Sequence, residues 1–150
     1  MNSQPILYVE DQDDDVVLMR YAWDKAGLLN PLQVVNNGER ALAYLSGTGK
    51  YANRYEYPMP CLVLLDLKMP KLGGLDVLKW IREQPAIQTL PVIVLSSSNQ
   101  QQDIRTAYAR GANSFLTKPP HVDGLVELVA SLKAFWLLGR TQLPPPCLPA

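Results

Sequence analysis

Four short runs of branched apolar residues constrain this chain most, because each one ends on a side chain with chemistry to offer. Ile6-Leu7-Tyr8-Val9 leads into Glu10-Asp11, and Leu62-Val63-Leu64-Leu65 leads into Asp66. Pro91-Val92-Ile93-Val94-Leu95 leads into Ser96-Ser97-Ser98, and Ser114-Phe115-Leu116-Thr117 leads into Lys118. Apolar runs this short, without polar alternation, read as strands buried on both faces, the mark of a parallel sheet. In open α/β sheets ligands gather beyond the carboxyl ends of the strands. An acid pair, a single acid, a hydroxyl and an ammonium therefore meet at one edge. Ionised carboxylates about 4 Å apart repel by roughly 4 kcal/mol at an effective dielectric near 20, so the acids require a cation or a proton. Hard oxygen ligands with room for water suit Mg²⁺.

The segments between the runs are helical, and Leu32–Val35 supplies one more strand. Five alternations of strand and helix predict an α/β fold, a doubly wound five-stranded parallel sheet with helices on both faces. Asp13, Asp14 and Asp15 read as solvated caps at the start of the first helix, which Gly27 closes. Asn37-Gly38 turns into a second helix bearing Ala41, Leu42 and Leu45, and a third spans Gly74 to Glu83. The fourth runs from about Gln101 to Arg110, with Gly111 as its stop. The last, from Asp123 to about Leu137, carries Leu125, Leu128, Val129, Leu132 and Phe135 on a broad apolar face. Residues 46–60 form a connection longer than most, read as an ordered excursion beside the sheet. Residues 1–140 thus make one domain and 141–150 a proline-rich tail.

Composition excludes several classes. Fourteen basic and fourteen acidic residues cancel, which argues against nucleic acid or an anionic membrane as the main partner. No apolar run approaches a membrane span and no signal-like leader is visible, so a cytoplasmic protein is expected. Cys61 and Cys147 have neither metal nor redox spacing. Gly47-Thr48-Gly49-Lys50 is not a phosphate-cradling loop, because Tyr44 stands where the first glycine belongs and Tyr51 where the hydroxyl belongs. His121 is the sole histidine and reads as a loop residue.

The ordered set resembles the receiver domain of two-component response regulators over nearly the whole chain. It comprises Glu10-Asp11, then Asp66 with Met69-Pro70 and Gly73-Gly74, then Ser96, then Lys118-Pro119. The resemblance implies a flavodoxin-like fold in which Asp66 accepts a phosphoryl group from a sensor histidine kinase. It also implies Mg²⁺ bound by Asp11, Asp66 and the backbone carbonyl of Lys68, with Glu10 acting through water. Ser96 and Lys118 would hold phosphoryl oxygens, and Phe115 would be the aromatic switch residue that alters the surface of helix four, strand five and helix five. Such a protein is no turnover enzyme; it assists its own phosphorylation and dephosphorylation. Gly49-Lys50-Tyr51-Ala52-Asn53 and Phe135-Trp136 are similar to the small stand-alone regulators paired with bacterial phytochrome kinases. That likeness, with the apolar last helix, implies a homodimer. Two rival readings are weaker. A receiver-shaped module that is never phosphorylated would lack an essential residue, and none is missing. A haloacid dehalogenase-like phosphohydrolase carries Asp-x-Asp after its first strand, whereas Asp66 follows a later one and has Lys68 two residues on.

Overall fold

The computed structural model of the protein describes residues 4–134. Strands and helices alternate as β1 (Ile6–Val9), α1 (Asp13–Lys25), β2 (Leu32–Val35), α2 (Gly38–Ser46), β3 (Leu62–Leu65), α3 (Gly74–Glu83), β4 (Val92–Ser96), α4 (Gln101–Ala109), β5 (Ser114–Thr117) and α5 (Val122–Leu132). The five strands form one parallel sheet in the order β2-β1-β3-β4-β5. Strand order reverses between β1 and β3, and such a switch point opens a crevice at the carboxyl edge. The residues of β1, β3 and β4 are buried because helices cover both faces: α1 packs against α5, while α2, α3 and α4 neighbour one another.

Local chemistry explains several boundaries. The Asn37 side chain accepts a 2.7 Å hydrogen bond from the Arg40 N–H and starts α2. Gly47, at φ +69°, ends that helix in the left-handed conformation glycine tolerates. Beyond it the long connection is ordered, with a 3₁₀ turn at Gly49–Ala52. Tyr44, Tyr51 and Tyr57 form an aromatic cluster with ring centroids 5.0 to 5.9 Å apart. The Arg54 guanidinium donates to the carbonyls of Tyr44 (2.7 Å), Leu45 (2.9 Å) and Tyr57 (3.1 Å), clasping the last turn of α2 to the connection that follows it.

Three expectations need correction. Gln12, not an aspartate, precedes α1 at the cap, and no side-chain cap bond forms there; Asp13, Asp14 and Asp15 lie inside the first turn, near the positive end of the dipole. Ser96 is the last residue of β4 and fully buried, not the first residue beyond the strand. The apolar face of α5 is not surplus: Leu125, Val129 and Leu132 are buried in the domain's own core and Leu128 packs partly against it. Phe135, Trp136, Cys147 and the proline-rich tail lie outside the described residues.

Candidate functional site

The register of β1 on β3 builds the acidic centre. Val9 lies opposite Leu65, and the Asp66 N–H donates to the Val9 carbonyl at 3.0 Å, so both strands end at the same level. Glu10, Asp11 and Asp66 thereby bring a carboxylate oxygen each to within 4.8 Å of one another. Glu10 is fully buried and Asp66 is 5% exposed. Among the described residues, Glu10 Oε2 and Asp11 Oδ1 are buried without a hydrogen-bond donor. Buried anionic oxygens of this kind are costly unless something positive reaches them. Three clustered carboxylates with unfilled acceptor capacity fit a hard divalent cation such as Mg²⁺.

Packing holds the acceptor loop close. A Cβ on Gly74 would lie 2.2 Å from the Asp66 carbonyl oxygen, so only glycine lets α3 begin directly behind that residue. The Gly73 N–H bonds back to the Asp76 carboxylate at 3.2 Å and steadies the same turn.

Lys118 arrives from the end of β5. Its ammonium bonds Glu10 Oε1 at short range, Asp15 Oδ2 at 3.0 Å, and lies 3.7 Å from Asp66 Oδ1. Burial works against its charge, yet the bonds to Glu10 and Asp15 and the charges of Asp66 and Glu10 outweigh burial, and its pKa rises. Glu10 moves upward too, above the usual carboxylate range. Burial comes first and Asp66 adds to it, and Lys118, though paired, does not reverse them. Lys118 thus stays charged, while Glu10 holds a proton more readily than an ordinary glutamate.

The hydroxyl is present as well. Ser96 Oγ accepts from the Ser98 N–H at 3.1 Å, and the Ser96 carbonyl accepts from the Lys118 N–H at 2.8 Å. Ser98 Oγ donates to Asp103 at 2.5 Å, which, ahead of the Lys68 ammonium 3.4 Å away, holds the Asp103 carboxyl below its ordinary pKa. The Lys68 side chain therefore reaches across to α4. Phe115 is half-buried against the core, and its N–H donates to the Tyr108 hydroxyl on α4 at 3.1 Å. The His121 side chain caps nothing at the start of α5.

Tyr8 and Asp15 escaped the sequence reading. Tyr8 counts as core in an apolar run, yet it sits two residues before Glu10, on the same strand face, and its hydroxyl donates to Glu10 Oε1 at 3.2 Å. Asp15 reads from the sequence as a solvated cap, yet in the structure it turns inward to Lys118.

This combination defines a class: a doubly wound α/β domain with a buried acidic cluster that fits a divalent cation, a hydroxyl and a lysine around one aspartate at the switch point. The family profile of the response regulator receiver domain matches residues 6–130, and the chain belongs to that family. It is similar to a response regulator in red light signalling of R. palustris, RPA3017, with a TM-score of 0.87 and 35% identity, covering 93% of this chain and 98% of that one. The phosphorylated cyanobacterial phytochrome response regulator RcpA gives 0.85 and 34%, covering 95% and 99%. Response regulator Rcp1 of Synechocystis sp. is 34% identical over 132 residues, 88% of each chain. The Mn²⁺-bound form of Rcp1 superposes with a TM-score of 0.82, at 33% identity over 94% and 99% of the two chains. The protein is a receiver-domain response regulator of flavodoxin-like fold, and receiver domains accept phosphoryl groups from histidine kinases.

Proposed function

We propose that Asp66 is the phosphoacceptor, and that a bacterial phytochrome histidine kinase is the donor. The observation carrying this reading is the convergence of Glu10, Asp11, Asp66 and Lys118 at the switch point. An Asp66 carboxylate oxygen attacks the phosphorus of a phosphohistidine in line. A P–O bond forms as the P–N bond breaks, and the imidazole nitrogen leaves with the electron pair. Lys118 shifts toward the transferred oxygens, and Ser96 Oγ exchanges the Ser98 N–H for one of them. Asp11, Asp66 and the Lys68 carbonyl would hold Mg²⁺, with Glu10 acting through its waters, and a bound ion would supply positive charge to offset that of the incoming phosphoryl group. The finished protein turns over no external substrate and only assists its own phosphorylation and hydrolysis.

The link to a light-sensing kinase is supported by near full-length similarity to RPA3017 and RcpA and by the ordered 46–60 excursion. A cytoplasmic location agrees with the described helices, none of which is long and apolar enough to cross a membrane. A homodimer without nucleic-acid contact completes the proposal. Its support is narrower than the sequence implied, because Leu125, Val129 and Leu132 are engaged within the domain.

The test is phosphotransfer from a bacterial phytochrome kinase and from an unrelated sensor kinase, with peptide mapping of the label. Asp66→Asn should abolish labelling with the fold intact. Stoichiometric label on that variant places the acceptor elsewhere, and equal transfer from both kinases removes the phytochrome assignment.

A further inference from the structure

Glu10 Oε1 has two donors, the Lys118 ammonium and the Tyr8 hydroxyl. Tyr8 is 1% exposed, and its hydroxyl is aimed at the site by the pleat of β1. When Lys118 turns to a phosphoryl group on Asp66, its bond to Glu10 weakens. Glu10 is fully buried, and a buried carboxylate oxygen stripped of its donor must keep another donor or take up a proton.

We infer that Tyr8 is a positioning residue for the phosphoryl-transfer site: its hydroxyl holds the Glu10 carboxylate in place while Lys118 is handed from Glu10 to the phosphoryl group. The inference rests on the assignment of Asp66 as acceptor. An apolar residue at this position would leave Lys118 as the only donor to Oε1 among the described residues, and would tie the lysine to Glu10. With Tyr8 present the ammonium is free to move without orphaning the glutamate.

The experiment is a double-mutant cycle on the full chain, Tyr8→Phe and Lys118→Ala, read as Mg²⁺ affinity by isothermal titration calorimetry. Circular dichroism in EDTA verifies that each variant is folded. Tyr8→Phe alone should raise the Mg²⁺ dissociation constant about threefold to tenfold, at or below the usual cost of losing a hydrogen-bond partner of a metal-binding side chain. In the Lys118→Ala background the same substitution should cost more, because Tyr8 is then the remaining donor to Oε1. A dissociation constant within about twofold of wild type, or an identical fold-change in both backgrounds, makes Tyr8 a packing residue and overturns the inference. Acetyl-phosphate labelling of the wild type separates the two readings. An unlabelled Asp66 sinks the acceptor assignment, whereas a labelled Asp66 with an additive cycle sinks only the role of Tyr8.

Discussion

Replacing Lys118 with alanine removes the ammonium that bonds Glu10 and Asp15 and faces Asp66, and the metal-free protein should feel it in a pH-dependent way. At 3.7 Å and an effective dielectric near 20, attraction to Asp66 alone is about 4.5 kcal/mol. The Asp15 share is discounted, since that carboxylate is 36% exposed and screened. Breaking a buried pair costs about 3–5 kcal/mol, but Glu10 can limit the loss by taking a proton. Its ordinary pKa is 4.5, so holding it neutral at pH 7.5 costs at most about 4 kcal/mol relative to the unfolded chain, and at pH 5.5 about 1.4 kcal/mol. The sign follows from the upward shift: the unfolded chain releases the proton first. The penalty therefore grows as pH rises above 4.5 and levels off only once the folded-state glutamate ionises, near pH 8 in the wild type. Wild-type Glu10, with its pKa near 8, already carries nearly all of that penalty at pH 5.5 and 7.5, so the expected deficit of Lys118→Ala is about 2–3 kcal/mol at both, from the lost pairing with Asp66, and it grows by about 1.4 kcal/mol at pH 9, where only the wild-type glutamate ionises. Saturating Mg²⁺ should close most of the gap at pH 7.5, because it supplies the missing positive charge to the native state alone. Urea denaturation followed by circular dichroism, at pH 7.5 and pH 9 in EDTA and in Mg²⁺, reads all four stabilities. An equal deficit in every condition would refute the electrostatic reasoning, leaving only the packing of the lysine stem near Leu95, Pro119 and Leu125.

Asp11→Ala should weaken Mg²⁺ binding by at least tenfold while the exposed Asp14→Ala leaves it within twofold, on the scale of a lost ligand and of a distant charge respectively; calorimetric titration checks both, and equal losses would displace the acid pair. Trp136→Glu should shift a dimer to monomer in sedimentation velocity, and a wild type that is monomeric at every concentration, phosphorylated or not, ends the dimer proposal.

The sheet was legible because parallel strands announce themselves: Leu62–Leu65 and Val92–Leu95 admit no polar residue, and both are buried throughout. Helix ends were legible where backbone stereochemistry demands particular residues, as at the Asn37 cap and at Gly27 and Gly111, two glycines with positive φ; the stop at Gly47, of the same kind, was not read. The site was legible as a set of strand ends, which register alone brings together. What escaped depends on direction rather than composition. Asp15 differs from Asp13 and Asp14 only in its angle around α1, and that angle turns it toward Lys118. Tyr8 belongs to an apolar run by every measure except its terminal oxygen. The last helix misled for the converse reason: an apolar stripe shows that a face is covered, not what covers it, and here α1 does much of that work.

The 2.8 Å bond from the Lys118 N–H to the Ser96 carbonyl has a mechanical consequence. The two residues proposed to grip the phosphoryl oxygens are clasped to each other through their backbones, so their strand tips travel as one rigid link. Any pull on the Ser96 hydroxyl drags the tip of β5 along with it. The other flank of β5 is moored to α4 by the Phe115 N–H and the Tyr108 hydroxyl, a tether half open to solvent. Strain entering at the acid cluster is thereby delivered to a single exposed phenol.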